Sequence, residues 1–272
     1  MGKGHRQQLL ESRRASPIRG ALVIAGLAAT GPVRAEDAWV PDGVYPAQPA
    51  PAAAARVSGD VGFGYVPVFR SGERDRVAGG IDGAVRLAPV ELRVHWDWLA
   101  DRSEAAGWVN GPGDVRLGTV VTVFDRSGFD TTLGWEVKLP DAADGSGLGT
   151  DETDALFGAT GGWTGGPWSA RLGVGLGILG NPLRFANQDD VPLVRARLGW
   201  SRGLVGVHGA LDLDLPTSRN PSRCDGDLGL RVGKTWFGYV HGGGGFTPAA
   251  ADWHLGLSFG LSAPLPAARK GA

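Results

Sequence analysis

The amino-acid sequence predicts an all-β fold: a transmembrane, antiparallel, up-and-down β-barrel of about twelve strands. Runs of about ten residues alternate between apolar and polar side chains, as strands do when lipid meets one face and a polar lumen the other. In the run Phe129–Leu139, apolar residues predominate at the odd positions, and Asp130, Glu136 and Lys138 lie at even ones. Glycine supplies 46 of the 272 residues, more than twice its average share of about 7%. This glycine content, with short alternating runs between turn signals, favours a barrel or sandwich.

The N-terminal segment is typical of an export signal. Three arginines within residues 13–19 precede an apolar run at 21–29, and Val33-Arg34-Ala35 resembles a cleavage site. The apolar run is shorter than the roughly 20 residues of a membrane-spanning helix. We therefore expect residues 1–35 to be a signal peptide for Sec-dependent export, with twin-arginine export as the alternative.

The net charge of the chain limits the classes of partner that it can bind. Removing residues 1–35 takes six basic residues and one acidic residue from the totals of 27 and 28, leaving 21 and 27, a net charge of −6. Nucleic-acid binding requires a basic face, so we expect no nucleic-acid partner. The partners expected instead are the lipid bilayer of the outer membrane and a small solute.

The rest of the chain divides into a lead-in, a barrel and a tail. Residues 36–55 are rich in proline and alanine, which indicates an extended periplasmic lead-in. Residues 56–262 are predicted to form the barrel and residues 263–272 a C-terminal tail. The predicted strands lie near residues 56–69, 80–87, 90–98, 115–124, 129–140, 155–164, 168–179, 191–200, 204–215, 227–235, 237–246 and 252–261. The third shows the clearest alternation, and the tenth and eleventh the weakest, because glycines at 242–245 erase the pattern.

The connections between these strands alternate in length. Short turns are predicted near residues 88–89, 125–128, 165–167, 201–203 and 235. Long polar loops are predicted at residues 70–77, 99–113, 140–153, 180–190 and 216–226. Short turns on the periplasmic side and long loops outside are the outer-membrane pattern. An even strand number places both ends of the barrel in the periplasm.

Aromatic residues collect beside the predicted short turns. Rings with a polar edge favour the headgroup level of a bilayer, so we predict a membrane-interface girdle. Its predicted members are Trp98, Phe124, Phe129, Trp163, Trp168, Trp200, Trp236, Phe237 and Trp253. The alternative is the core of a soluble sandwich, but a core would not gather most of its rings at one end.

The ionisable residues of the alternating runs should face the lumen, where charges tune pore selectivity. The predicted lumen residues are Glu91, Arg93, His95, Asp97, Arg116, Asp130, Glu136, Lys138, Arg171, Arg195, Arg197, His208, Asp212, Asp214, Arg231 and His254. Arg195 and Arg197 can meet Asp212 and Asp214 if their strands pair antiparallel. The same residues could instead fill the lumen as a salt-bridge network, so an open and a plugged barrel both remain possible.

No motif points to catalysis or to a cofactor. The strand histidines form no recognisable triad with a serine or an aspartate. The acidic loop at residues 141–154 lacks EF-hand spacing, and Cys224 is expected to be a lone exposed thiol in a loop. We therefore expect neither an enzyme, nor a cofactor, nor a metal site.

The last strand carries an assembly signal. Residues 254–261 resemble the polar-x-Gly-x-x-aromatic-x-hydrophobic pattern that the barrel-assembly machinery recognises, with Gly256, Phe259 and Leu261 at its defining positions. The chain departs from the usual pattern because a tail follows the strand.

Two segments resemble a known family. Residues 111–118 read Gly-Pro-Gly-Asp-Val-Arg-Leu-Gly, and Lys138-Leu139-Pro140 is followed by Gly-Leu-Gly-Thr-Asp at 147–151. Together they resemble the outer-membrane β-barrel family of meta-pathway-of-phenol-degradation transporters. Leu213-Asp214-Leu215-Pro216-Thr217 repeats the strand-end motif, whereas Asp141-Ala142 stands where the family usually has Thr-Gly. The resemblance implies a barrel with a transport role and leaves the solute open, a hydrophobic or aromatic one included.

These observations predict a monomeric outer-membrane channel or transporter for small solutes. The alternative is a structural or adhesive outer-membrane barrel that acts through its extracellular loops.

Overall fold

The computed structural model describes residues 56–68, 74–103, 107–140, 153–180, 189–217, 221–248, 250 and 252–265. Within them, twelve β-strands follow one another in chain order: β1 (Arg56–Val68), β2 (Arg74–Leu87), β3 (Val90–Ser103), β4 (Gly107–Arg126), β5 (Phe129–Leu139), β6 (Asp154–Gly165), β7 (Trp168–Leu179), β8 (Asp189–Arg202), β9 (Val205–Asp214), β10 (Arg223–Gly233), β11 (Trp236–Gly245) and β12 (His254–Pro264). The predicted signal peptide and lead-in, nearly all of the acidic loop and most of the tail lie outside the described residues.

The strands form one closed barrel in which each strand pairs antiparallel with its sequence neighbours. β1 closes the barrel against β12, in a register from Arg56 opposite Pro264 to Tyr65 opposite Leu255. Closure satisfies backbone hydrogen-bonding groups at both edges, which a hydrocarbon environment requires. The predicted antiparallel twelve-stranded barrel is confirmed.

The outer face of the wall is apolar and the inner face is polar, the reverse of the arrangement in a soluble protein. Large apolar side chains such as Leu133, Leu172 and Phe259 are exposed on the outer face. The buried side chains are mostly polar or charged, among them Lys138, Asp154 and His95. This arrangement is the one expected when lipid surrounds the wall and polar groups fill the inside.

Two-residue turns join the strands at one end of the barrel. They lie at residues 88–89, 127–128, 166–167, 203–204 and 234–235 in the described chain, where short turns are predicted. At Ser127 and Gly128 both φ angles are positive, 55° and 82°, the signature of a type I′ hairpin turn. A Cβ on Gly128 would also collide with the carbonyl oxygen of Thr164, so this position admits only glycine without rearrangement.

At the opposite end several strands run further than predicted. β2 begins at Arg74, β3 continues to Ser103 and β4 begins at Gly107, so much of the predicted loops 70–77 and 99–113 is strand. The salt bridge between Arg76 and Asp101, with Nε 2.7 Å from Oδ1, joins two of these extensions. The predicted loop at 216–226 also ends early, because Arg223–Gly226 belongs to β10.

Cys224 therefore lies on a strand, half-buried, and is not the exposed loop thiol that the sequence predicts.

Among the described residues, no helix combines the length and the apolar character needed to cross a membrane.

Candidate functional site in the barrel lumen

Hydrogen-bond register lines up ionisable residues in rows on the inner wall. The first charged row consists of Asp82, His95, Arg116, Lys138 and Asp154, which lie directly opposite one another on β2 to β6. Because residues opposite each other on one face are close neighbours, Asp82 can pair with His95, and Asp154 can pair with Lys138. The cations Arg116 and Lys138 also lie opposite each other, so this part of the row depends on nearby acids.

Most partners in the first charged row are buried. His95 is held at both ring nitrogens: Nδ1 is 2.8 Å from Asp82 Oδ1, and Nε2 is 2.6 Å from Asp97 Oδ1. Lys138 is 1% exposed, and its Nζ lies 2.7 Å from Asp154 Oδ2 and 3.5 Å from Asp114 Oδ2. These groups act as a polar core that holds neighbouring strands together.

The second charged row runs from β5 to β12. It consists of Asp130, Gly162, Arg171, Arg197, Ala210, Asp227, Gly243 and His254, again directly opposite one another. Arg171 Nη1 lies 3.0 Å from Asp130 Oδ2, across the small residue Gly162. A Cβ on Gly162 would collide with the Asp130 carboxylate, so the glycine provides the lateral space for this pair.

Arg195 and Arg197 share one carboxylate. Asp212 Oδ1 lies 2.9 Å from Arg197 Nη1 and 3.7 Å from Arg195 Nε. β8 and β9 pair antiparallel with Arg195 opposite Asp212, so opposite charges do meet across this ladder. Both guanidinium groups therefore contact the same carboxylate, and all three side chains are 27–35% exposed.

Solvent exposure divides the lumen charges into two classes. The side chains of Lys138, Asp114 and Asp154 are at most 4% exposed. By contrast, side chains that are 27–41% exposed include those of Arg93, Glu136, Arg171, Arg195, Arg197 and Asp212. We call these six the water-facing set; it holds four arginines and two acids. Groups that water reaches can contact a solute in the lumen directly.

A cluster of rings occupies the wall formed by β9 to β12. Tyr239 stacks on His241 with ring centroids 5.1 Å apart and 11° between the planes. The His208 ring centroid lies 5.3 Å from that of Tyr239, and the His254 centroid lies 5.9 Å from that of His241. Asp227 bonds to both His241 and His254 through Oδ2.

Glycines opposite these rings give them room. A Cβ on Gly229 would collide with the Tyr239 ring, and one on Gly256 with the His241 ring. Gly256 thus lies on the inner wall directly opposite His241; its part in an assembly signal, with Phe259 and Leu261 on the outer face, stays a prediction.

The sequence-predicted lumen residues all lie at inward-facing positions, and the structure adds several that the sequence analysis missed. The added residues include Arg76, Asp82, Asp101, Asp114, Asp154, Arg223, Asp225, Asp227, Tyr239 and His241. Some lie in predicted loops, and the residues on β10 and β11 were obscured by the glycines at 242–245. Whether the sequence-predicted residues set selectivity stays a prediction.

Of the predicted interface aromatics, most lie on the outer face. Those exposed there or at its rim are Trp98, Phe124, Phe129, Trp163, Trp168, Trp236 and Trp253, and Trp200 is half-buried. Phe237 is a correction: it faces the lumen, is 6% exposed, and carries the Arg231 guanidinium 3.9 Å above its ring. Trp236 and Phe237 are adjacent, and adjacent strand residues point to opposite faces, so only one of them can meet lipid.

The architecture matches solved outer-membrane proteins. The crystal structure of the COG4313 outer membrane channel from Pseudomonas putida F1 superposes with a TM-score of 0.60 at 10% identity, covering 79% of this chain and 97% of that chain. This chain has the fold of an outer-membrane β-barrel. The NanC porin superposes with a TM-score of 0.55 at 7% identity, covering 76% of this chain and all of that chain. No family model matches the sequence, and no curated protein matches it.

Proposed function

We propose that this chain is a channel or transporter in the bacterial outer membrane that passes small solutes. The observation that carries the proposal is the water-facing set, because it combines solvent access with an excess of arginine over acidic residues. The two matched structures are an outer membrane channel and a porin, and both support the same class of function. The sequence resemblance to meta-pathway-of-phenol-degradation transporters also supports transport.

Lumen charge is proposed to make the channel prefer anions. A unit charge about 10 Å from a permeating ion acts on it with about 0.4 kcal/mol at the dielectric constant of water. That energy changes the local concentration of an ion about twofold. Anions and cations respond in opposite directions, so removing two arginines should lower the anion-to-cation permeability ratio severalfold.

Reversal potential in a salt gradient across a planar bilayer tests the proposal. The double variant Arg195→Ala/Arg197→Ala should shift the potential towards cation preference. The control Asp212→Ala, which removes the acid that both arginines share, should shift it the other way. A folded wild-type barrel that gives no channel events would refute the channel, and identical potentials in all three proteins would refute the role of these charges.

The route to the membrane and the partners belong to the same proposal. We propose Sec-dependent export, insertion by the barrel-assembly machinery through the strand that contains Gly256, Phe259 and Leu261, and a monomeric state.

In the alternative function, a structural or adhesive one, the barrel acts through its extracellular loops. Deleting residues 141–151 separates the two functions, because conductance should survive the deletion whereas adhesion should not.

A further inference from the structure

Two imidazoles and one carboxylate converge on the inner wall of β10 to β12. His241 Nδ1 lies 2.9 Å from Asp227 Oδ2, and His254 Nε2 lies 2.7 Å from the same oxygen. The three donor atoms all lie within 4.8 Å of one another. From this geometry we propose a site for a divalent first-row transition metal ion, with Asp227, His241 and His254 as its ligands.

The distances fit such an ion after small side-chain movements. Nitrogen and oxygen ligands bind Zn²⁺ at about 2.0–2.1 Å, which in tetrahedral geometry places two donor atoms about 3.3 Å apart. The contacts between Asp227 Oδ2 and the two ring nitrogens therefore have to widen by about half an ångström. The two ring nitrogens, which lie within 4.8 Å of each other, have to reach the same separation of about 3.3 Å.

The chemistry of the donors selects the class of ion. Two imidazoles with one carboxylate suit Zn²⁺, Fe²⁺, Ni²⁺ or Cu²⁺, whereas Ca²⁺ and Mg²⁺ prefer oxygen donors. With three protein ligands, a tetrahedral ion keeps one open position. The Asp227 side chain is 22% exposed, so water or a solute oxygen in the lumen can reach that position.

The surroundings hold the ligands in place. Tyr239 stacks on the His241 ring with an interplanar angle of 11°, which fixes the ring plane. Gly256 leaves space for the His241 ring, and a Cβ on Gly243 would lie only 2.8 Å from His254 Cε1. A metal ligand whose orientation is fixed by its neighbours loses less entropy on binding.

A second group of similar composition shows why convergence matters. Asp82 and Asp97 bond to opposite ring nitrogens of His95. Their oxygens therefore lie on opposite sides of the imidazole and cannot share one ion with it. The composition of a cluster does not by itself create a metal site; the donor atoms have to face a common point, as those of Asp227, His241 and His254 do.

Titration of Zn²⁺ into the tag-free, folded barrel in detergent tests the site. Isothermal titration calorimetry should give one ion per chain for the wild type. Asp227→Asn and His254→Gln each remove a ligand and should weaken binding at least about tenfold, since loss of even an outer-shell partner costs about 10- to 100-fold. The matched control His208→Gln removes a lumen histidine that contacts Tyr239 but is not one of the three proposed ligands, and it should bind Zn²⁺ as the wild type does.

Two further measurements keep the result independent of folding defects. Heat-modifiable electrophoretic migration identifies the variants that still form closed barrels, and only those are compared. On the wild type alone, the electron paramagnetic resonance spectrum of bound Cu²⁺ should show hyperfine coupling to two imidazole nitrogens. Absence of stoichiometric Zn²⁺ binding by the folded wild type overturns the proposal. So does Zn²⁺ binding that is unchanged in both ligand variants, or lost equally in the His208→Gln control.

Discussion

Lys138 is the sharpest test of how the barrel wall is held together. Its side chain is 1% exposed, and the ammonium nitrogen lies 2.7 Å from an Asp154 carboxylate oxygen and 3.5 Å from one of Asp114. The variant Lys138→Met keeps most of the volume of the side chain but leaves two buried carboxylates without this cation. Removing one partner of a buried ion pair costs about 3–5 kcal/mol, because the remaining charge loses its compensation. We therefore expect the free energy of unfolding to fall by about that amount.

Urea titration of the refolded barrel in lipid vesicles, followed by tryptophan fluorescence, measures the loss. The matched control is Arg195→Met, which removes a cation that is 35% exposed and 3.7 Å from its partner. Exposed pairs contribute about 0–1 kcal/mol, so this control should be nearly as stable as the wild type. A double-mutant cycle adds Asp154→Asn, and the losses in Lys138→Met/Asp154→Asn should be less than additive, since the two side chains are in contact.

The refuting result is an equal loss in the two single cation variants. That outcome would mean that burial does not separate structural lumen charges from water-facing ones. A cycle with fully additive losses would contradict direct coupling between Lys138 and Asp154.

Two further predictions concern the two faces of the wall. Leu172 is 59% exposed in the middle of β7, so Leu172→Arg should lower stability in vesicles by about 2–4 kcal/mol, the cost of an arginine near the bilayer midplane. The same change at Leu204, in a two-residue turn, should cost about 0–1 kcal/mol, and equal costs would argue against this membrane position. On the inner face, Gly229→Ala would overlap Tyr239 and should cost about 1–3 kcal/mol by urea titration. The control Gly134→Ala places its Cβ at ordinary distances of 3.7 Å and should be nearly neutral; a neutral Gly229→Ala would show that the ring moves freely.

The alternation of faces could be predicted because it depends only on neighbours along one strand. In β5, Asp130, Glu136 and Lys138 face inward whatever the adjacent strands do, since side chains alternate along a strand. The strand ends could not be predicted in the same way. At the start of β2 and the end of β3, the charged residues resemble a loop, yet both segments are strand, and the Arg76–Asp101 salt bridge joins them there.

Which residues lie opposite each other on neighbouring strands depends on the register of the strands, and the sequence of a single strand does not determine that register. The ladders shift between Trp96 and Trp98 and again between Thr122 and Phe124, and each shift changes which residues lie opposite. The convergence of Asp227, His241 and His254 requires the registers of three strands at once. It also depends on Gly243 and Gly256, which leave room for the two rings; in the sequence these glycines indicate only a weakened strand pattern and an assembly signal.

Burial thus assigns different functions to residues of the same chemical type. Variants of the buried Lys138 and of the solvent-accessible Arg195 and Arg197 can therefore be compared in the same two assays. Lys138 is enclosed by carboxylates, so its loss should change the unfolding free energy and leave the reversal potential almost unchanged. Arg195 and Arg197 share Asp212 in a solvent-accessible position, so their loss should shift the reversal potential and change stability little, because water screens the pair. If the variants exchanged these effects, the lumen charges would be coupled through the wall as one network, and neither class could be assigned to permeation alone. Unfolding free energy and reversal potential can both be measured on four proteins: wild type, Lys138→Met, Arg195→Met and Arg195→Ala/Arg197→Ala. Together the two measurements show whether the lumen charges divide into structural and conducting groups or act as a single unit.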